Sequence, residues 1–202
     1  MNNDNSRPSV YETMSLILAQ INGPQNQKNL NADLAAFRNS IGKDVRAIEA
    51  WSILFPLLPE SYLGTGPLTK EERSILTCLQ VYALGQQGTQ KVKDDDSSSF
   101  GESLNKIRDR ESDSMDKHFN AMVTSNTFDE FAYHLRQLFK IGKAKGIFSV
   151  NYARLANDLY WYQSGKDKQI CLSWARDYYR PTKKMNSEAS VDAEENKMEE
   201  NN

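Results

Sequence analysis

The chain has 202 residues, of which 39% are hydrophobic, and its 25 lysines and arginines stand against 27 aspartates and glutamates. This length fits one large domain or two small ones. No apolar run approaches the roughly 20 residues that cross a bilayer, and the N-terminus lacks the basic and apolar regions of a secretory signal. We therefore expect a cytoplasmic protein that is neither secreted nor embedded in a membrane.

The two cysteines, Cys78 and Cys171, lie far apart in the sequence, and each falls inside an apolar helical pattern. The close cysteine spacings that build disulfide frameworks or zinc sites are absent. The pattern predicts two buried free thiols in a reducing compartment.

The net charge of -2 conceals an uneven distribution along the chain. Residues 1–100 carry 9 basic and 11 acidic side chains, residues 101–185 carry 15 and 10, and residues 186–202 carry 1 and 6. The last stretch has no aromatic residue and too little apolar area to offset the entropy cost of ordering it. We predict a basic C-terminal half followed by a disordered acidic tail over 186–202.

Helical periodicity dominates the sequence, and no stretch alternates convincingly as a strand does. Four S/T-x-x-E capping boxes mark helix starts. They are Ser9 with Glu12, Thr69 with Glu72, Ser99 with Glu102, and Thr127 with Glu130. Another helix is predicted to start at Asp44, and one to span about Lys70 to Gly85. The predicted fold class is all-α, with about nine helices packed as two bundles.

A polar segment separates the two groups of predicted helices. Residues 89–98 include three consecutive aspartates and are typical of a loop. The predicted organisation is an N-terminal helical bundle over 1–88, this loop, a basic C-terminal helical bundle over 99–185 and the acidic tail.

Catalytic signatures are missing from the sequence. Its two histidines, His118 and His134, belong to no metal-binding motif, and the phosphate-binding and nucleophile-elbow glycine motifs are absent. We predict a protein that is not an enzyme and that carries neither a metal nor a cofactor.

Basic residues concentrate on one predicted helix and around the next helix ends. Tyr133, Arg136, Lys140 and Lys143 follow steps of 3, 4 and 3, which places them on one helical stripe. Further lysines stand at glycine-flanked or helix-starting positions: Lys145, Lys166 and Lys168. Such a surface suits nucleic-acid phosphates, with little base selectivity. The plainer alternative is a solvated helix face, since most surface charges only keep a protein soluble.

Two further side-chain expectations concern the last two helices. Trp161 and Trp174 fall on or beside apolar stripes and are expected in the core. Arg154 and Asp158, four residues apart on one helix, are expected to form an ion pair.

An ordered set of short motifs resembles a known family. The motifs are Ser99-Phe100-Gly101, Phe119, His134-Leu135-Arg136-Gln137-Leu138, Asn157-Asp158-Leu159 with Tyr160-Trp161-Tyr162, and Ser173-Trp174-Ala175-Arg176-Asp177-Tyr178-Tyr179. A weaker match adds Ala36 to Asn39, Ile41-Gly42 and Leu58-Pro59. Over about residues 99–180 their order and spacing are similar to those of the small-subunit (CasB) family of Cascade, the type I-E CRISPR surveillance complex.

The resemblance implies a function as well as a fold. It implies an all-helical, non-catalytic subunit that lies along the belly of an RNA-guided complex. Small subunits of that family form a head-to-tail pair, contact the other Cascade subunits and follow the filament that holds the crRNA. They offer basic residues to target DNA and to the displaced strand of the R-loop.

The resemblance also implies nucleic-acid contacts at particular positions. These are Arg38, Lys117, Arg136, and Lys166 or Lys168. Asn39 and Gln137 stand where the family often has a second arginine, so Lys140, Lys143 and Lys145 are expected as substitutes from neighbouring turns.

Two functions are therefore carried forward. The leading hypothesis is a non-catalytic subunit of a crRNA-guided antiviral complex that binds nucleic acid non-specifically and stabilises target DNA and the displaced strand. The alternative is a helical adaptor that contacts only other proteins, with the basic half docking on acidic neighbours.

Overall fold

A computed structural model describes residues 7–43, 47–110 and 113–181. Helices dominate these residues, and the all-α prediction is confirmed. The acidic tail predicted over 186–202 lies outside the described residues. No helix in the described ranges is both long and apolar enough to cross a membrane.

The helices are numbered in chain order. They are α1 (Val10–Ile21), α2 (Leu30–Asn39), α3 (Ile48–Leu54), α4 (Lys70–Gly85), α5 (Phe100–Ile107), α6 (Ser114–Val123), α7 (Phe128–Ala144), α8 (Tyr152–Trp161) and α9 (Asp167–Tyr178). Two-residue strands lie at β1 (Lys93–Asp94) and β2 (Ser149–Val150). The bounds of α4 match the prediction, whereas α3 begins at Ile48, and the predicted start at Asp44 lies outside the described residues.

Side-chain caps explain where several helices begin. Three of the predicted capping boxes form in full: Ser9 with Glu12, Thr69 with Glu72, and Ser99 with Glu102. The fourth forms in part, because the Thr127 hydroxyl accepts from the Glu130 amide while the Glu130 carboxylate accepts from the amide of Asn126 at 3.0 Å. The hydroxyls satisfy amides that have no partner inside the first helical turn.

Helix α4 is the centre of the fold. Nearly every side chain from Ile75 to Ala83 is buried, and α2, α7 and α8 all pack against it. Helix α1 packs on α8, which joins the beginning of the chain to its C-terminal half. A helix that is covered on all sides in this way needs apolar residues around its whole circumference. The division into bundles at 89–98 stays a prediction.

The predicted polar loop contains a short strand. β1 pairs in parallel with β2, with Lys93 opposite Ser149 and Asp94 opposite Val150. The aspartates hold the pairing in place: Asp95 accepts from the hydroxyl of Ser149 at 3.0 Å, and Asp94 accepts from a backbone amide at 3.3 Å. Two residues are too few to show strand alternation, which is why the sequence pattern did not predict β1.

A π-helical segment, Tyr162–Lys166, turns the chain between α8 and α9. The turn depends on Gly165, whose φ of +85° is unfavourable for other residues. Beyond it, α9 packs so closely on α5 that a methyl group at Gly101 would overlap the carbonyl oxygen of Trp174.

Several side-chain expectations are corrected by the fold. Trp174 is buried as expected, but Trp161 is half-buried. Asp158 accepts from the Trp174 indole at 2.8 Å, and among the described ion pairs it has none with Arg154. Cys78 and Cys171 are both free thiols; Cys78 is buried and Cys171 half-buried, which corrects the expectation of full burial for the second.

Candidate nucleic-acid interface

The C-terminal end of α4 attracts positive charge for a general reason. The last carbonyl groups of a helix have no partner within it, and the aligned peptide dipoles leave partial negative charge there. In this chain two cations from other helices meet those carbonyls. Arg38 of α2 donates from Nη1 to the Ala83 carbonyl at 3.2 Å, and Lys143 of α7 donates from Nζ to the Leu84 carbonyl at 2.8 Å. Lys143 also donates to the carbonyl of Gln87.

Lys143 and Arg38 are close enough to influence each other's charge. Partial burial lowers the pKa of Lys143 below its usual value, and the positive charge of Arg38 lowers it further. Neither side chain has an ion pair with an aspartate or glutamate in the described part of the chain. Two cations held together without a carboxylate favour a bound anion.

Arg136 reaches the same helix from α7. Its Nη2 donates to Oε1 of the buried Gln80 at 2.7 Å, and the Gln80 amide nitrogen donates to the Ser40 hydroxyl at 2.9 Å. This chain of hydrogen bonds fixes Arg136 one helical turn before the carbonyls that hold Arg38 and Lys143. We call Arg38, Arg136 and Lys143 the α4 basic cluster.

Sequence reasoning missed Gln80 and Lys43 as parts of this region. Gln80 is only 2% exposed and orients Arg136, although it lies among mostly apolar residues in the second half of α4. Lys43 is exposed beyond the end of α2, and its amide donates to the carbonyl of Ser40 at 3.0 Å. A polar residue inside a fully buried helix is the signal that could have identified Gln80, since buried polar groups are nearly always hydrogen-bonded.

The rest of the predicted stripe on α7 extends the positive surface. Lys140 is exposed one turn before Lys143. Lys145 lies at the end of α7, where its Nζ is 3.9 Å from a carboxylate oxygen of Asp109. At that distance and exposure the attraction is weak. The sequence-predicted stripe therefore contributes Arg136 and Lys143 to the α4 basic cluster, and Lys140 and Lys145 lie next to Lys143 in the sequence.

The predicted residues between α8 and α9 lie elsewhere. The Nζ of Lys166 stands 3.7 Å from the centre of the Trp161 ring, and Lys168 is exposed in the first turn of α9. The neighbouring Gln163 donates to the Ser74 hydroxyl at 2.8 Å, close to the beginning of α4. Because a helix rises about 1.5 Å per residue, the nine residues from Ser74 to Ala83 put roughly 14 Å of α4 between this contact and the carbonyls that hold Arg38 and Lys143.

Lys117, on α6, forms its own ion pair. Its Nζ is 2.9 Å from Asp113, and both side chains are 74% exposed. An exposed pair of this kind contributes little stability and leaves the lysine available to solvent. The structure thus brings Arg38, Arg136 and Lys143 together at the end of α4, whereas Lys117 is paired with Asp113.

No group of three or more histidine, cysteine or carboxylate side chains is arranged to hold a metal ion in residues 7–43, 47–110 and 113–181. The arrangement of the α4 basic cluster suits attraction of an anion, since arginine and lysine supply donors and charge.

Comparisons with known proteins identify the family. The family model described as CRISPR-associated protein Cse2 matches residues 33–179, so the chain belongs to the Cse2 family. This confirms the resemblance to the small-subunit (CasB) family of Cascade. A comparison with curated protein sequences gave no match.

Solved structures share the fold. CasB from Thermus thermophilus is 23% identical, with a TM-score of 0.64 over 86% of this chain and 100% of that chain. CasB from Thermobifida fusca is 20% identical, with a TM-score of 0.62 over 84% of this chain and 95% of that chain. A chain of a CRISPR RNA-guided surveillance complex is 17% identical, with a TM-score of 0.64 over 89% of this chain and 99% of that chain.

Proposed function

We propose that this protein is a non-catalytic small subunit of a crRNA-guided surveillance complex and binds nucleic-acid backbones through the α4 basic cluster. In this role it contacts other Cascade subunits and the crRNA, pairs head to tail with a second copy, and stabilises target DNA and the displaced strand. Membership of the Cse2 family supports the place in such a complex.

One observation carries the nucleic-acid proposal. Arg38 and Lys143 are held side by side, partly buried, without an aspartate or glutamate ion partner among the described residues. A phosphate supplies the missing negative charge. Arg38 keeps most of its five donors for such a ligand, because only one bond of its guanidinium to the protein is described.

Modest backbone contacts of this type are enough to stabilise an R-loop. The RNA–DNA duplex that forms is about as stable as the DNA duplex that it replaces, so backbone contacts can decide the balance. Phosphate contacts read charge and spacing, and they therefore hold strands of any sequence.

The test is the affinity of the full chain for a labelled single-stranded DNA, measured across a salt series. Arg38→Gln combined with Lys143→Gln is expected to weaken binding. It should also reduce the slope of log affinity against log salt by up to about 0.7 for each phosphate that the variant no longer neutralises.

The matched control removes the same charge elsewhere. Lys28→Gln combined with Lys70→Gln changes two exposed lysines away from the end of α4. The control should keep the wild-type salt slope. Equal slopes for both double variants and the wild type would contradict the proposed footprint. Circular dichroism and a thermal melt of each variant show whether it is folded.

The adaptor function is supported by a different feature. A groove of about 850 Å³ lies between α3 and residues 63–68, with Trp51, Phe55 and Leu68 in its lining. Ile48, on the same helix, is 71% exposed. Assembly into a complex that survives Arg38→Gln with Lys143→Gln, together with a lack of DNA binding by the wild-type chain, would favour the adaptor.

A further inference from the structure

A regulatory role for the acidic end of the chain follows from charge and position. Resting on the proposed function, we propose that residues 186–202 bind the α4 basic cluster within the same chain and compete there with nucleic-acid phosphates. The competitor is a carboxylate-rich segment of this protein, and the ligand that it excludes is a phosphate backbone.

Charge complementarity is the first argument. The segment carries six carboxylates and a single lysine: Glu188, Asp192, Glu194, Glu195, Glu199, Glu200 and Lys197. The α4 basic cluster holds Arg38 and Lys143 together without an acidic ion partner in the described residues. Carboxylates form the same charge-assisted hydrogen bonds with arginine and lysine that phosphates form.

The position where the described chain ends is the second argument. The carbonyl of Arg180 accepts from the Asn105 side chain at 2.8 Å, so the last described residues lie beside α5. At the end of that helix the Arg108 guanidinium stacks on Tyr179, 4.7 Å from the ring centre. The next residue, Asp109, faces Lys145 at the end of α7. These contacts lead from the chain end to the last turn of α7, the turn that also carries Lys143.

The length of the segment is the third argument. Twelve residues lie between Pro181 and Glu194, which is near the middle of the acidic stretch. Thirteen peptide steps reach at most about 45 Å. Attachment to the same chain gives the acidic segment an effective concentration near the millimolar range, so even a weak intrinsic affinity produces competition.

The first experiment compares two full-length proteins. One is the wild type, and the other has the six acidic residues neutralised: Glu188→Gln, Asp192→Asn, Glu194→Gln, Glu195→Gln, Glu199→Gln and Glu200→Gln. Neutralisation is expected to tighten binding of single-stranded DNA about 3- to 10-fold at low salt, with the two affinities converging as salt rises. Equal affinities at low salt would overturn the proposal.

A control separates competition from a change in net charge. Glu49→Gln with Glu60→Gln removes two exposed carboxylates from the folded body, and Glu194→Gln with Glu195→Gln removes two from the tail. The tail pair should tighten DNA binding more than the body pair. An equal effect of the two pairs would contradict a specific role of the tail.

The second experiment contains no nucleic acid and therefore separates the two proposals. A fluorescent peptide of sequence 186–202 is titrated into the full-length protein whose own tail is neutralised. We expect the affinity for the peptide to decrease as salt rises. We also expect Arg38→Gln with Lys143→Gln to lower this affinity at least threefold, whereas Lys28→Gln with Lys70→Gln should leave it unchanged.

Absence of peptide binding, or binding unaffected by Arg38→Gln with Lys143→Gln, overturns the tail proposal even if DNA binds. Peptide binding at the cluster combined with no DNA binding by either protein would instead overturn the proposed function and leave the tail contact standing.

Discussion

Arg38 and Lys143 donate hydrogen bonds to consecutive backbone carbonyls, those of Ala83 and Leu84. The two side chains come from α2 and α7, which are far apart in the sequence. The end of α4 is therefore a point where cations from both halves of the chain meet. The same contacts that complete the helix end also concentrate positive charge, so structural and binding roles coincide in these residues.

The charge of Arg38 should have a measurable effect on the pKa of Lys143. Arg38→Gln is expected to raise the pKa of Lys143 toward its ordinary value, because the arginine charge is one cause of its lowering. Folding lowers the pKa of Lys143, so the charged lysine reduces the free energy of unfolding at every pH below its folded-state pKa. This cost decreases as the pH rises from the folded-state to the unfolded-state pKa, and above the latter it is gone. An NMR titration of the lysine side chain measures the change, with Lys28→Gln as control. An unchanged Lys143 pKa would contradict the contact.

Asp158 should make stability fall with rising pH. Burial beside Trp174 raises the pKa of this carboxyl above its ordinary value. The stabilising protonation is complete below the unfolded-state pKa and is lost as pH rises through the folded-state pKa. Asp158→Asn keeps an acceptor for the indole and removes the titration. Urea unfolding at pH 4 and pH 7 measures the free energy of unfolding of both proteins. The difference, variant minus wild type, should be more positive at pH 7 than at pH 4. A constant difference would refute this.

Gly101 should not tolerate a side chain. A methyl group there would overlap the Trp174 carbonyl oxygen and lie 3.0 Å from Cβ of Asp177. Gly101→Ala must push α5 from α9, at an expected cost of about 1–3 kcal/mol in the free energy of unfolding. Gly66→Ala is the control, because no atom beyond its two chain neighbours lies within 4 Å of the added methyl. Denaturant melts that show equal stability for the two variants would disprove the close approach.

Two serine caps should differ in their contributions to stability. Ser99 is buried, and its hydroxyl donates to Asp177 at 2.6 Å while accepting from the Glu102 amide. Ser99→Ala should cost about 2–3 kcal/mol, because it removes a cap and leaves the partly buried Asp177 carboxylate with one donor fewer. Ser9 makes the same capping box at an exposed position, so Ser9→Ala should cost about 0.5–1 kcal/mol. Chemical denaturation measures the free energy of unfolding of both variants. A larger loss for Ser9→Ala than for Ser99→Ala would contradict the prediction.

The fold was largely predictable because its signals are local. Capping hydroxyls and three-residue spacing located the start of α1, α4 and α5, since a helix N-terminus is satisfied by residues next to it. The Asp158 contact was not predictable in the same way. Its partner, Trp174, lies on another helix, and only the turn at Gly165 brings the two together.

The candidate site was predictable in composition but not in arrangement. The stripe from Arg136 to Lys143 follows from helical spacing alone. Its meeting with Arg38 depends on how α2 and α7 both pack on α4, and no spacing within one helix contains that information. The separation of Lys166 from this cluster is likewise a result of tertiary packing.

The packing of α1 on α8 has a consequence for synthesis on the ribosome. The apolar face of α1 contains Met14 and Ile17, which are buried in the finished protein. Its partner helix emerges only after about 140 further residues, which at 5–20 residues per second takes on the order of ten seconds. During that time the face of α1 lacks its main cover. Newly made chains should therefore depend on chaperones that shield the first helix, and a strong translational pause before Tyr152 should lower the yield of folded protein.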